Sequence, residues 1–157
     1  MDPLFEFALS IKALQRELDR RTNEALQPLG VTSVQADALT VIRQAGPLSL
    51  SDLGDLLIAE GGHPSGLIDR LVDAGLVQRQ AADDDRRRIE LSLTRKGRQL
   101  EKRVVAARRS IMDAVRELIP DRELRRTVSF LRDLLQYTAL GELVERRKTL
   151  DKVHSSA

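Results

Sequence analysis

The sequence predicts a mainly α-helical protein that carries one small β-hairpin. Along most of the 157 residues, apolar side chains recur at alternating spacings of three and four, as they do on the buried side of an α-helix. The pattern changes at the mixed segment LVQRQ (76–80) and the alternating segment IELSL (89–93), which have the character of two short strands. This length suits one domain, or one domain with an extension.

A long first helix is expected from residue 4 to about residue 28. Its apolar stripe consists of Leu4, Phe7, Ile11, Leu14 and Leu18. Pro28 and Gly30 end the helix, because proline cannot continue it and glycine readily adopts the left-handed conformation of a helix end.

Three shorter helices are expected next. Thr32 and Gln35 form the pattern of a capping box, so the second helix should begin there. A third, short helix follows the segment PLSL (47–50), which itself has the character of a very short strand. The fourth helix is expected to begin near Pro64 and to end at Gly75.

Two longer helices complete the prediction. Thr94 caps a helix that reaches about residue 118, and Pro120 with Asp121 breaks the chain and caps a last helix. The stripe of this last helix is Leu124, Val128, Leu131 and Leu135. The highly charged tail after Ala139 is expected to be a frayed helix followed by disorder.

The order of the middle elements is that of a winged helix-turn-helix. In this unit the helix after the turn contacts DNA bases, and the hairpin forms a wing. We therefore expect residues 31–94 to form a winged helix-turn-helix lobe. Residues 1–30 and 95–157 are expected to form a helical dimerisation region built from both chain ends.

The charges of the chain are unevenly distributed. The formal net charge is only +2, but residues 61–120 carry 13 basic and 9 acidic side chains. This local excess of cations falls on the predicted fourth helix, the hairpin and the helix after it, and it favours a nucleic-acid partner.

The composition excludes several other classes of protein. Without cysteine there is no disulfide, thiolate metal site or thiol switch, and His63 and His154 are too far apart for a conventional metal site. No apolar run reaches the ~20 residues of a membrane span, and the start MDPLFEF lacks the basic residues of a secretory signal, so we expect a cytoplasmic protein. We expect neither an enzyme nor a cofactor, because no phosphate-binding loop or nucleophile–base pair is found.

Residues 66–100 closely resemble the MarR family of bacterial transcriptional regulators. The matching motifs, in chain order, are Asp69-Arg70-Leu71, Gly75-Leu76-Val77, Asp85-Arg86-Arg87, Leu93-Thr94 and Gly97. The resemblance implies a homodimer held together by the outer helices, with a recognition helix in the major groove of double-stranded DNA and a wing at the minor groove. It also implies a small aromatic or anionic effector that binds between the helical base and the winged lobe.

Three arginines, Arg86, Arg87 and Arg88, fall at the predicted tip of the hairpin. Narrow, strongly negative minor grooves attract arginine, so these side chains are candidates for DNA contact. Arg88 could equally be a solvated strand residue. Asp85 is expected to pair with a neighbouring arginine and to hold the shape of the loop, as the family resemblance also implies.

The beginning of the fourth helix departs from the family pattern, because Gly66 stands where an arginine is often found. Glycine cannot make the bidentate contact of arginine with guanine. Direct contact with bases should therefore rest on His63, Ser65 and Arg70. Alternatives stay open for all three, since His63 could cap the helix, Ser65 could bond to its own backbone and Arg70 could pair with a neighbouring aspartate.

Two further candidates lie at the beginning of the second helix. Thr32 and Ser33 could contact a DNA phosphate there, because a helix N-terminus offers free N–H groups. Capping of the helix is the alternative role.

The apolar stripes of the outer helices indicate a homodimer. A helix over 95–118 is about 36 Å long, whereas a compact chain of this size has a radius of gyration of only about 15 Å, so one small lobe does not cover the stripes. The predicted interface residues are Leu4, Phe7, Ile11, Leu14, Leu124, Val128, Leu131 and Leu135. An intramolecular bundle is the alternative.

Together these observations predict a homodimeric, sequence-specific DNA-binding regulator that acts as a ligand-responsive repressor on a pseudo-palindromic operator. The alternative is a winged-helix module that binds another protein, with weak or no specific DNA binding. The glycine-rich start of the recognition helix favours that alternative.

Overall fold

A computed structural model describes residues 1–58, 64–82, 85 and 87–155, with the side chains of residues 153–155 left out of the description. Within these ranges the chain forms seven α-helices and one β-hairpin. In chain order the elements are α1 (Pro3–Leu26), α2 (Ser33–Ala45), α3 (Leu50–Gly54), α4 (Pro64–Asp73), β1 (Val77–Ala81), β2 (Ile89–Leu93), α5 (Arg95–Arg116), α6 (Asp121–Leu135) and α7 (Ala139–Ser155). The fold class predicted from the sequence is confirmed.

Local signals fix the ends of the first helices as predicted. A short 3-10 turn follows α1, and Gly30 then takes the left-handed conformation with φ of 70°. The capping box of α2 is complete, because the N–H of Gln35 donates to the Thr32 hydroxyl (3.3 Å) and the N–H of Thr32 donates to the Gln35 side chain (2.9 Å). The backbone N–H groups of Thr32 and Gln35, which have no acceptor within the helix, are thereby satisfied.

Two apolar clusters hold the elements together, and α2 contributes to both. The main core lies between α2, α3, α4 and the hairpin, and its fully buried side chains include Leu39, Leu53, Ile68 and Leu91. A second cluster joins α1, α2 and α5 through Leu26, Val31, Ala36 and Val104. Because α2 belongs to both clusters, it connects the helix-turn-helix unit with the long outer helices.

The hairpin pairs in antiparallel register, with Val77 opposite Leu93 and Ala81 opposite Ile89. The predicted short strand before α3 is reduced to one bridge, in which Leu48 exchanges both backbone hydrogen bonds with Leu91 (3.3 and 2.8 Å). This bridge attaches the hairpin to the segment between α2 and α3, so the wing has a fixed base.

The beginning of α5 is packed directly against the end of α4. The Thr94 hydroxyl accepts the N–H of Gly97 (3.0 Å) as a helix cap and donates to the carbonyl of Gly75 (2.7 Å). A Cβ on Gly97 would lie 2.0 Å from the carbonyl oxygen of Leu76. Only glycine permits this approach, which joins the fourth and fifth helices rigidly.

The C-terminal part of the chain differs from the prediction in two ways. Pro120, not Asp121, is the N-cap residue of α6, and since a proline side chain accepts no hydrogen bond, no side chain caps this helix. The expected frayed tail is the 17-residue helix α7, which packs back onto α2. Its charges are matched across the chain, because Arg147 pairs with Asp37 and Asp151 accepts from Gln44.

The close contact at Gly97 leads to a prediction about stability. Gly97→Ala should lower the free energy of unfolding by about 1–3 kcal/mol, because the new methyl group would collide with backbone that cannot move aside. Gly66→Ala is the matched control: among the described residues no atom beyond the adjoining backbone lies within 4 Å of a Cβ there, and alanine should stabilise α4 by up to about 1 kcal/mol. Urea unfolding followed by circular dichroism measures both, and equal effects of the two changes would contradict the role of Gly97.

Candidate nucleic-acid interface

Helix α4 buries one face and exposes the other. Leu67, Ile68 and Leu71 enter the main core, whereas Ser65 and Arg70 are exposed. The buried face fixes the rotation of the helix about its axis, so the exposed side chains point away from the lobe, where a DNA groove can reach them.

The exposed face of α4 begins with an open surface. Gly66 lies on it, and no atom of the described chain lies within 4 Å of the position of a Cβ. Packing therefore does not require glycine here. Ser65, in the first turn, contributes a small hydroxyl close to the free N–H groups of the helix N-terminus.

One ion pair connects the recognition helix with the wing. The guanidinium of Arg79 on β1 donates to the carboxylate of Asp69 on α4 at 2.5 Å, and both side chains are about half exposed. An exposed pair of this kind contributes at most about 1 kcal/mol, so its effect is on orientation more than on stability. Sequence reasoning missed this pair, because the partners lie ten residues apart across a turn and no helical or strand spacing relates them.

Arg70 keeps its charge available on the same face. Among the residues that the structure describes, none forms a hydrogen bond or ion pair with the guanidinium of Arg70, and Asp69, one of the aspartates considered as its partner, is occupied by Arg79. The guanidinium of Arg70 is therefore directed toward solvent in the free protein.

A tight turn shapes the described part of the wing tip. The carboxylate of Asp85 accepts the backbone N–H of Arg87 (2.9 Å), and its carbonyl accepts the N–H of Arg88 (2.9 Å). Asp85 thus holds the turn through the backbone N–H of Arg87; its predicted pairing with a neighbouring arginine side chain stays a prediction, because Arg86 lies outside the described residues. Arg87 and Arg88 are exposed, and Arg88 also lies 3.1 Å from the carboxylate of Glu90.

Two predicted DNA contacts, His63 and Arg86, lie outside the described residues. Two others, Thr32 and Ser33, are not brought together with α4 or the hairpin. The Thr32 hydroxyl belongs to the capping box, and Ser33 contacts the outer helices through Asn23 on α1 (3.0 Å) and Arg108 on α5 (3.3 Å). These two residues therefore lie at the end of α2 that faces the long helices.

Most of the predicted interface residues are exposed on the outer helices, whereas Phe7, Leu124 and Leu135 are half-buried. Leu4 and Leu14 on α1 are 72% and 70% exposed, and although every residue of α6 is described, none of them is buried. Phe7 makes an edge-to-face contact with Phe130 on α6, with ring centroids 5.8 Å apart. Phe130 was missed by sequence reasoning because it lies beside the stripe of spacing three and four.

The fold and the exposed arginines define a winged-helix DNA-binding protein. Residues 31–97 match the family described as the winged helix DNA-binding domain. The transcriptional repressor MdtR of Bacillus subtilis is 27% identical over 137 residues, 87% of this chain and 88% of MdtR. A second regulator from B. subtilis, YcgE, is 31% identical over 123 residues, 75% of this chain and 79% of its own length.

A solved structure agrees with these relatives. A mutant of MarR from Escherichia coli, complexed with operator DNA, has the same fold with a TM-score of 0.75 and 24% identity over 86% of this chain and 99% of the MarR chain. The chain belongs to the MarR family of winged-helix transcriptional regulators. It is a DNA-binding regulator of transcription and not an enzyme.

In the part of the chain that the structure covers, no helix is both long and apolar enough to cross a membrane.

The turn at Asp85 gives a second prediction. Asp85→Ala removes the acceptor of the Arg87 N–H, so the amide of Arg87 should exchange its proton faster in NMR measurements. The free energy of unfolding should change by no more than about 0.5 kcal/mol, because the turn is exposed. Asp85→Asn keeps an acceptor oxygen at the same place and should retain slow exchange; loss of protection in both variants would show that the bond does not hold the turn.

Proposed function

We propose that the protein is a homodimeric, sequence-specific repressor that binds a pseudo-palindromic operator and is released by a small ligand. The observation that carries this proposal is the apolar surface that α1 and α6 leave uncovered beside a lobe with exposed arginines. The winged-helix lobe comprises residues 31–94, and residues 1–30 and 95–157 form the dimerisation region. We expect the protein to act in the cytoplasm, where its DNA partner lies.

The exposed face of α6 supports a second copy of the chain as the covering partner. Leu124, Val128, Leu131 and Leu135 form one stripe, and Phe130 and Leu134 widen it. Fully burying one such side chain contributes about 1.5–3 kcal/mol, so a face of this size strongly favours association. Because a two-fold dimer brings the same face from both chains together, each leucine covers its counterpart or a neighbour of it.

Helix α5 adds further exposed apolar side chains to the predicted interface. Val105 and Met112 on α5 are exposed and lie seven residues apart, and Ile119, three residues beyond the end of α5, is also exposed. The interval of seven residues keeps Val105 and Met112 on one side of the helix, about a quarter of a turn from the buried Val104. These side chains extend the apolar surface of α1 and α6 and are consistent with a helical interface of both chains.

In such a dimer, two α4 helices would lie about one turn of DNA apart, roughly 34 Å, and would enter successive major grooves. The arginines of the wing would reach the adjacent minor grooves, where Arg87 and Arg88 are exposed and Arg86 precedes them. Ser65 and Arg70 on α4, together with His63, are the candidates for direct contact with base edges. Thr32 and Ser33, which face the outer helices, are at most phosphate contacts.

Gly66 limits direct readout of bases. One bidentate contact between a side chain and a base provides about 1–3 kcal/mol of discrimination, and glycine provides none. We therefore expect a larger share of specificity to come from the shape and deformability of the operator, which the arginines of the wing sense through the width of the minor groove.

Two lines support repression and release by a ligand. The relative MdtR is named a repressor, and a dimer bound across an operator blocks access of other proteins to the same DNA. The motifs shared with the MarR family imply a small aromatic or anionic effector between the helical region and the winged lobe. Such a ligand would change the separation of the two lobes and so lower the affinity for the operator.

Selection of bound duplexes from a random-sequence library tests the proposal. The expected product is a pair of inverted half-sites with centres one helical turn apart. Enrichment of a single half-site would contradict the dimeric arrangement, and no enrichment at low salt would contradict sequence-specific binding. A screen of aromatic carboxylates for release of the selected duplex tests the effector.

The wing is expected to contribute directly to binding. Arg87→Ala should weaken binding of the selected duplex by about tenfold, or 1.4 kcal/mol, because the dimer loses one cationic contact in each wing. Arg116→Ala is the matched control: it removes the same charge at the far end of α5, about 32 Å from Arg95. Fluorescence anisotropy measures both affinities, and equal losses would show that only net charge matters.

Salt dependence provides a second readout of the same titrations. Binding of the unmodified protein should weaken steeply with salt, since each phosphate contact releases condensed counterions. Binding that does not depend on salt would contradict the proposed interface.

The interface is tested by one substitution on α6. Leu131→Asp should raise the dimer dissociation constant strongly, by about 3 kcal/mol or more, because both copies lose a buried leucine and gain a buried charge. Ser129→Asp places the same charge two residues away on the same helix and should leave the dimer intact. Sedimentation velocity distinguishes monomer from dimer, and a dimeric Leu131→Asp variant would place the interface elsewhere.

A further inference from the structure

We propose that Arg147 on α7 is a positioning residue for DNA binding, because it fixes the winged lobe relative to α6. The proposal rests on the dimeric DNA binding proposed above and names the contact that holds the two half-site readers at their working separation. Arg147 does not touch DNA in this arrangement and acts through the orientation of α2 and α3.

The contact itself is a bidentate ion pair. The two terminal nitrogens of Arg147 donate to the two carboxylate oxygens of Asp37 on α2, at 3.1 and 2.9 Å. One of them also donates to the carbonyl of Leu56, just beyond the end of α3, at 3.0 Å. The side chains of Arg147 and Asp37 are only 20% and 25% exposed, so salt screens the pair less than a surface pair.

A second arginine approaches the same carboxylate from α5. Arg108 lies 3.7 Å from Asp37 and donates to the Thr40 hydroxyl (3.4 Å) and to the Ser33 carbonyl (3.3 Å). Burial lowers the pKa of Arg108, Asp37 opposes this shift and Arg147 adds to it. The carboxylate of Asp37 on α2 therefore interacts with a guanidinium group from α5 and with another from α7. Its negative charge offsets the repulsion between these two half-buried cations.

Two further contacts hold α7 on the winged lobe. The Gln44 side chain donates to the carboxylate of Asp151 at 3.0 Å, and Leu150 packs against the main core. Arg147, Leu150 and Asp151 therefore face α2 and α3 on one side of α7. The helix covers part of the lobe and is not an independent tail.

The turn between α6 and α7 is closely packed, so we expect a shift of α6 to be transmitted to this contact. A Cβ on Gly141, in the first turn of α7, would lie 2.4 Å from the carbonyl oxygen of Leu135, which leaves no room for a side chain there. The Thr138 hydroxyl donates to the same carbonyl at 2.8 Å, and the N–H of Gly141 donates to the carbonyl of Thr138 at 3.1 Å. The angle between α6 and α7 is therefore fixed by backbone contacts.

The winged lobe is attached to the outer helices at three places. The end of α4 meets the beginning of α5 at Thr94 and Gly97, α2 packs on α1 and α5 through the second apolar cluster, and α2 with α3 meets α7 at Arg147. Rotation of the lobe about a line through the first two attachments is opposed by the third. Loss of Arg147 should therefore let the lobe adopt other orientations, and a smaller fraction of dimers would present the spacing that fits the operator.

The test compares Arg147→Ala with Arg146→Ala. Arg146 is exposed on the same helix, so its replacement removes the same charge without touching the contact with α2. The probes are the duplex selected by the unmodified protein and a version with two base pairs inserted between the half-sites, which rotates them by about 70° relative to each other. Affinities are measured by fluorescence anisotropy, and sedimentation velocity verifies that each variant is a dimer.

Arg147→Ala should bind the original duplex about tenfold more weakly than the unmodified protein, as expected if about a tenth of the lobes keep the working orientation. The two-base-pair insertion should reduce the affinity of Arg147→Ala by a smaller factor than it reduces the affinity of the unmodified protein. The reason is that a lobe with more rotational freedom can still reach the displaced half-site. Arg146→Ala should match the unmodified protein on both duplexes. A merely structural role of Arg147 would weaken binding to both duplexes by the same factor.

Three outcomes would overturn the proposal. The insertion could weaken binding by Arg147→Ala as much as it weakens binding by the unmodified protein, Arg147→Ala and Arg146→Ala could lose the same affinity for the original duplex, or Arg147→Ala could dissociate to monomers. Failure of the proposed function is recognisable separately, because the unmodified protein would then select no duplex. In that case amide hydrogen exchange in α2 and α7 tests whether the ion pair holds the lobe. Arg147→Ala should accelerate exchange in both helices, and Arg146→Ala should not. Unchanged exchange would show that the ion pair does not hold the lobe.

Discussion

The burial of α2 is the constraint on which the rest of the structure depends. This helix contacts α1, α5, α7 and the hairpin, and it supplies side chains to both apolar clusters. A helix packed on several sides leaves little solvent for its polar groups, so Asp37 in its middle needs cationic partners from the neighbouring helices. Arg108 on α5 and Arg147 on α7 meet that need.

The elements that could be predicted from the sequence are those determined by neighbouring residues. The capping box of Thr32 and Gln35 and the glycine end of α4 at Gly75 are signals that lie within a few residues of the backbone they control. Helix α7 could not be predicted in the same way, because Arg147 and Asp37 lie 110 residues apart. A charged segment suggests a solvated tail until its partners are known.

The candidate site shows the same division between local and distant causes. The exposed face of α4 and the arginines of the hairpin followed from periodicity and from the position of the turn. The contacts of two aspartates did not: Asp69 pairs with Arg79 on β1, and Asp85 accepts the backbone N–H of Arg87. Those choices depend on the angle between α4 and the hairpin, which the junction at Thr94 and the bridge of Leu48 with Leu91 determine.

The open space around Gly66 bears on how a regulator of this kind acquires new targets. A core position tolerates few replacements, whereas a Cβ added here meets no described atom beyond the adjoining backbone, so packing around the Cβ does not exclude a larger residue. Glycine codons are one nucleotide away from codons for arginine, serine, aspartate and glutamate, each with a different hydrogen-bonding capacity toward base edges. A single point mutation thus offers evolution a route to another promoter without any compensating change elsewhere in the polypeptide.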